Sequence, residues 1–168
     1  IYSPRKFFGI PDGGILYSED NMPLPSEYDE VLDLCQHLLG RIERGPQTYH
    51  RSFRNAQELF RGRPIRLMSK ISRRMLESID YDEINRVRLR NFAYLHSRLG
   101  DHNLLQVDFS NIAEGPLVYP FLTDNGHSLR DLLRRNEIFT AQYWPEVASV
   151  KSSEYEADLA CNLVALPI

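Results

Sequence analysis

The chain has 168 residues, 42% of them hydrophobic and 26% charged, with a formal net charge of −3. That length suits one domain or two small ones with a packed core, and the charge gives no general pull toward nucleic acid or an anionic membrane. No apolar run approaches the roughly 20 residues that span a bilayer, and Cys35 and Cys161 lack metal-ligand spacing, so they read as reduced, buried residues of a cytoplasmic protein.

Pro11-Asp12-Gly13-Gly14 reads as a turn, Asp12 being a turn residue, with a short strand over 13–17. Ser26-x-x-Asp29 is a helix-start signature. Tyr28, Val31, Leu32, Cys35, Leu38, Leu39 and Ile42 then recur at three- and four-residue steps, predicting an amphipathic helix that Gly45-Pro46 ends. A more polar helix over about 47–61, anchored by Tyr49, Phe53 and Phe60, is broken by Gly62-Arg63-Pro64, and a short helix covers 66–78. Asp80 and Glu83 begin a long helix to Gly100, with Ile84, Val87, Leu95 and Leu99 on one face, broadened by Phe92 and Tyr94. Residues 101–116 are turn-rich. A strand over 117–122 is held to an edge by Pro120. After Asp124-Asn125-Gly126, Ser128-x-x-Asp131 caps a short helix stopped at Asn136, and 138–143 forms a second strand. Ser153-x-x-Glu156 starts a last helix carrying Tyr155, Leu159 and Leu163 and closed by Pro167. Strand, helix, strand and helix in this order predict a small α/β layer.

Three features bear on chemistry. Lys6 follows the extended start Ile1, Tyr2, Ser3, with Arg5 beside it and Phe7 and Phe8 after it. Desolvation or a neighbouring cation makes a lysine nucleophilic, and those residues are the types that supply both. Composition alone reads Lys6 as a surface lysine between a strand and a turn. Residues 51–74 carry eight basic side chains against one acid, Glu58. Arginine suits bidentate phosphate contacts, and the alternative is a solvated face balanced by acids elsewhere. No stacking platform or nucleic-acid motif accompanies the run. The five histidines show no metal-ligand spacing. Tyr143-Trp144-Pro145 reads either as a substrate-facing wall or, for Trp144, as core packing.

The spacing from Lys6 to Asp12-Gly13-Gly14 and Ile15-Leu16-Tyr17 resembles the lysine segment of the DegT/DnrJ/StrS-type sugar aminotransferases, fold-type-I enzymes that use pyridoxal 5'-phosphate (PLP). Pro11-Asp12 stands where that family has Gly-Glu. Arg73-Arg74-Met75 with Ile79-Asp80-Tyr81 and the segment to Leu99 resemble the family's arginine-methionine loop and long helix. Val118-Tyr119-Pro120-Phe121, the run Ile138 to Pro145, and Leu163 to Pro167 resemble its small C-terminal domain, in the family's order.

The resemblance implies an α/β fold, namely the C-terminal part of a fold-type-I PLP-dependent transferase. Residues 1–78 would be the end of the large cofactor domain and 79–168 an incomplete small domain. It implies Lys6 as the catalytic lysine holding PLP as a Schiff base, Ser3 and Tyr2 as further cofactor contacts, and Arg73, Arg74 and Tyr143 as substrate contacts, with no metal. The implied reaction moves an amino group from a small donor to a keto-sugar nucleotide or similar ketone, in a cytoplasmic homodimer with no nucleic-acid or membrane partner. The start at Ile1, directly in strand-like sequence, reads as processing or as a fragment lacking the half before the lysine. The alternative is a non-catalytic or regulatory module on the same fold.

Overall fold

The computed structural model describes residues 1–105, 108–109, 112–150 and 153–168. The part of the turn-rich expectation over 101–116 that falls on Gln106, Val107, Ser110 and Asn111 lies outside the described residues. The chain divides into two compact units, Ile1–Ile79 and Asp80–Ile168.

The first unit opens with a closed loop. Tyr2 and Ile15 exchange both backbone hydrogen bonds, at 2.8 and 2.9 Å, so residues 2–15 form a loop with joined ends. This single bridge takes the place of the strand expected at 13–17. Inside the loop a 3-10 turn spans Pro4–Lys6. Pro4, Ile10, Pro11 and Asp12 are buried, whereas Lys6 is exposed.

The helix expected from Tyr28 starts later. Tyr28 instead pairs with Leu67 in a parallel bridge: Asp29 N–H donates to the Leu67 carbonyl and Leu67 N–H to that of Glu27. Extended pairing there is incompatible with a helical start. A 3-10 turn, Leu32–Leu34, leads into α1, Gln36–Arg44. The buried face is therefore Val31, Leu34, His37 and Gly40, while Leu32, Leu39 and Ile42 of the expected stripe are exposed. Pro46 at the first position opens α2, Pro46–Leu59. Its buried residue is Ala56; Phe53 of the expected anchors is exposed. α3 spans Lys70–Glu77, and the Ser69 side chain caps it by accepting from the Ser72 N–H. Val31, Leu34 and Ala56 form the core, with Cys35, Phe60 and Ile71 against them.

The second unit begins with α4, Tyr81–Leu99, capped as expected by the Asp80 carboxylate, which accepts from Glu83 N–H. β1, Tyr119–Leu122, pairs antiparallel with β2, Leu163–Leu166, in the register Tyr119 to Leu166 and Leu122 to Leu163. Asn103 covers β1 on its other side: its amide donates to the Pro120 carbonyl and its oxygen accepts from Leu122 N–H. Pro120 is thus tolerated because its strand lies at an edge. α5, Gly126–Arg135, is capped by Asn125 rather than by the expected Ser128 pair. A 3-10 turn spans Pro145–Ser149, and α6, Glu154–Asn162, starts with a full Ser153/Glu156 capping box.

Two expectations fail here for one reason. Residues 138–143 do not form a strand, and the last helix stops at Asn162 rather than running to Pro167. The partner that β1 takes is Leu163–Leu166, whose Val164, Ala165 and Leu166 are buried. The burial of Val164 and Leu166 beside Phe92 and Tyr119 outweighs helix continuation, each full aliphatic burial contributing roughly 1.5–3 kcal/mol. Arg130 secures the switch by donating to the carbonyls of Cys161 and Leu163.

Gly126 sits where a β-carbon would run into the backbone of Asn162. Its N–H also donates to the Asn162 side-chain oxygen. Gly126→Ala should therefore destabilise the second unit by about 1–3 kcal/mol, overriding the roughly 1 kcal/mol that alanine gains inside a helix. A urea midpoint at or above that of the unaltered protein would refute this close approach.

Candidate functional site

The N-terminal loop presents two faces. Outward, Tyr2, Ser3, Lys6 and Phe7 are exposed. Lys6 ends the 3-10 turn, its backbone held by Lys6 N–H to the Ser3 carbonyl (3.1 Å) and Phe7 N–H to that of Pro4 (3.0 Å). Ser3 is the cap residue of that turn, yet its hydroxyl makes no capping hydrogen bond. Tyr2 meets Tyr17 edge-on, ring centroids 5.4 Å apart. The neighbours expected to desolvate or polarise Lys6 lie otherwise: Phe7 is itself exposed, and the Arg5 guanidinium sits 4.7 Å from the centre of the Phe60 ring.

Inward, Asp12 is 3% exposed and accepts from three donors. Ser69 N–H reaches Oδ2 at 2.8 Å; the Ser69 hydroxyl, at 2.6 Å, and the Ser72 hydroxyl both reach Oδ1. Two further bonds close a ring: Ser72 N–H donates to Ser69 Oγ, and Asp12 N–H to Ser72 Oγ at 3.3 Å. Asp12 is therefore the turn residue that Pro-Asp-Gly suggested and also a buried anchor. The carboxylate lies at the N-terminus of α3, where the helix's unpaired N–H groups favour negative charge. Gly13 follows at φ +106°, and a β-carbon there would stand 2.5 Å from the Met68 methyl. Asp12, Ser69 and Ser72 were missed as a site because their partners lie 57 and 60 residues apart. The one sequence signal was Ser-x-x-Ser at the start of the short helix.

Two other titratable groups lie near the ring. Burial pushes the Cys35 thiol up, with the Asp12 charge adding to it, and the thiol donates to the Val31 carbonyl. Burial lowers Arg5, opposed by attraction to Asp12. His37, 5% exposed and edge-on to Phe53, is lowered first by burial and next by the Arg5 charge; a backbone hydrogen bond involving Leu34 opposes this, and Arg41 lowers it further.

Most of the basic run is spoken for. Arg73 and Arg74 both pair with Glu77, at 3.0 and 3.2 Å, on the exposed side of α3. Arg61 pairs with Glu58, Arg63 with Asp29 and Arg66 with Glu27, and Lys70 lies over the Tyr28 ring. The solvated-face alternative describes these contacts well. Because Ser69 caps α3 and Ser72 lies in its first turn, Arg73 and Arg74 lie one and two residues beyond the ring that holds the Lys6 loop.

Tyr143 belongs to the second unit and is half-buried, its ring 5.7 Å from that of Trp144. Trp144 is 68% exposed with a left-handed backbone (φ 47°), so core packing is not its role. Nearby, a groove of about 420 Å³ is lined by Arg130, Asp131, Arg134, Phe139, Gln142 and Cys161 among others. Its polar groups are largely committed: Arg134 to Asp131, Gln142 to the Ala160 carbonyl, Arg130 to the end of α6. Cys161 is exposed, contrary to the buried pair expected. Among the described residues no cluster of three His, Cys, Asp or Glu side chains is arranged to hold a metal, and no helix is long and apolar enough to cross a membrane.

Scans against protein-family models, curated proteins and solved structures each returned no match.

The His37 surroundings give a signed pH dependence. Its folded pKa lies below the ordinary 6.5, so as pH falls the unfolded chain takes up the proton first. The contribution is whole above the unfolded value and is lost as pH falls toward the folded one. Between about pH 8 and about pH 5.5, the unaltered protein should therefore lose more stability than His37→Gln, as read from urea midpoints. Parallel losses in the two proteins would show that His37 is not kept neutral by its site.

Proposed function

We propose that this chain is the C-terminal portion of a cytoplasmic, homodimeric PLP-dependent aminotransferase, with Lys6 as the residue that carries the cofactor. The ketone acceptor would be a keto-sugar nucleotide or a similar carbonyl compound. The observation that carries the reading is the exposed Lys6 amine on a loop closed at both ends and anchored from beneath. The motif order along the chain accompanies it.

The groups on the outer face fit such a cofactor in kind. An amine, an aliphatic hydroxyl and a phenol, from Lys6, Ser3 and Tyr2, share one exposed segment, and the Ser3 hydroxyl is not used for capping. When bound, PLP stores the electron pair released at the substrate's Cα. Lys6 would hold the cofactor and, once freed, move the proton at Cα. Ser3 would donate to the phosphate and Tyr2 would flank it. Arg73 and Arg74 would meet anionic groups of the substrate, exchanging part of their pairing with Glu77.

Borohydride reduction of the full-length, PLP-loaded protein should leave the cofactor on Lys6 in peptide mass spectrometry, and Lys6→Ala should abolish transamination with little loss of stability, since an exposed side chain packs against little. Labelling at Lys70 or at no lysine would favour the non-catalytic module instead.

Arg73→Lys and Arg74→Lys each keep the charge but lose the planar fork. Under this reading each weakens substrate binding while stability stays within about 0.5 kcal/mol. Unchanged affinity in both would leave the pair as part of a solvated face balanced by Glu77.

A further inference from the structure

Asp12 is a charged group with almost no exposure, and it lies on the same closed loop as Lys6. Between them the chain has little freedom. Phe8 N–H donates to the Pro4 carbonyl and Ile10 N–H to that of Phe8, while Pro4, Ile10 and Pro11 are buried. The Tyr2–Ile15 bridge closes the other side of the loop. Wherever Asp12 is held, the backbone of Lys6 is held with it.

Asp12 is held by one helix start. Both its oxygens are taken by Ser69 and Ser72, and its own N–H completes the ring through Ser72 Oγ. Ser72 directly precedes Arg73 and Arg74. One ring of hydrogen bonds thus joins the lysine-bearing loop to the arginine-bearing helix. We propose that Asp12 is the positioning residue of this site: its carboxylate, gripped by Ser69 and Ser72, sets where the Lys6 backbone stands relative to the start of α3. In its catalytic consequence this rests on the reading of Lys6 as the cofactor-bearing lysine.

The chemistry of the ring makes Asp12 hard to replace. Asparagine would turn one oxygen into an N–H₂ donor; facing Ser69 N–H it meets another donor, and facing the two hydroxyls it removes their acceptor. Glutamate keeps the charge but adds a methylene to a site with 3% exposure. Ser72→Ala keeps the helix start while removing one donor to Oδ1 and the acceptor for Asp12 N–H.

The test uses full-length protein with Asp12→Asn, Asp12→Glu or Ser72→Ala. Leu34→Val serves as the control, because Leu34 lies in the core of the same unit and is not part of the ring. Two readings are taken: hydrogen exchange without cofactor over 2–15, 67–77 and, as reference, 119–122; and the rate at which PLP is trapped on Lys6 by borohydride. Asp12→Asn should raise exchange in the first two segments together and leave the third unchanged, since local openings follow the contacts that hold them. It should slow trapping at Lys6 about tenfold or more, Ser72→Ala should do so by less, and Leu34→Val should leave trapping unchanged. Should Asp12→Asn fail to fold, Ser72→Ala and Asp12→Glu carry the test alone. Trapping that survives the ring variants overturns the role of Asp12 and leaves the reading of Lys6 intact. Unaltered protein that takes PLP at another lysine or at none overturns the reading of Lys6 itself, and with it the catalytic part of this proposal.

Discussion

The first unit depends on a buried carboxylate that is compensated. Taking a carboxylate out of water costs several kcal/mol in a protein interior. Asp12 recovers this through two hydroxyls and a backbone N–H, and hydrogen bonds to a charged group contribute roughly 1.5–3 kcal/mol each. What the ring supplies is position: both carboxylate oxygens find their donors at the start of α3. Gly13 reinforces the choice, since its left-handed φ and its contact with Met68 leave room for no side chain.

That specificity matters because the apolar core around it is small. Val31, Leu34 and Ala56 are its buried members, and α1, which follows Leu34 in the chain, also buries His37 and Gly40. The second unit is built differently. Phe92, Tyr119, Val164 and Leu166 form a larger centre, with Phe109 edge-on to Phe92 and the Tyr119 hydroxyl within reach of His96 and Asn103. The unit that carries Lys6 is thus held by directional polar contacts, and the other by packing. Polar rings lose their grip abruptly when one member leaves, whereas a core loses methylene by methylene.

Local signals were readable wherever the cause was local. Asp80 with Glu83 and Ser153 with Glu156 cap their helices as the spacing indicated, and Gly45-Pro46 separates α1 from α2. The failures share a different origin. Leu163 to Leu166 carries the apolar side chains of a helix face, but pairing with β1 decides the matter from more than 40 residues away. Residues 138–143 have strand-like composition and no ladder partner among the described residues. Tyr28 has helical spacing to Val31 and Leu32, yet it bridges to Leu67. At the site, Lys6 was legible as a residue but not its surroundings: Arg5 turns to Phe60, and Asp12 turns inward to two serines. Nothing in Pro-Asp-Gly distinguishes a solvated aspartate from one that meets a helix start 57 residues on.

The arrangement at Lys6 divides order between backbone and side chain. The closed loop and the ring beneath it fix where the lysine backbone stands. The exposed side chain keeps its rotamer freedom, up to about 2 kcal/mol of entropy for a lysine. Under the proposed role of Lys6, a carbonyl compound would reach the amine from solvent, and the exposed end would favour capture. The captured amine would then have to stay near one geometry for repeated proton transfer, where a displacement of about 1 Å costs on the order of a hundredfold in rate. A fixed backbone under a mobile amine meets both demands. The fixing rests on a carboxylate that touches no solvent, so it is insensitive to salt, unlike the exposed pairs of Arg73 and Arg74 with Glu77. Ionic conditions would then loosen the arginine pairs with Glu77 without moving the Lys6 backbone.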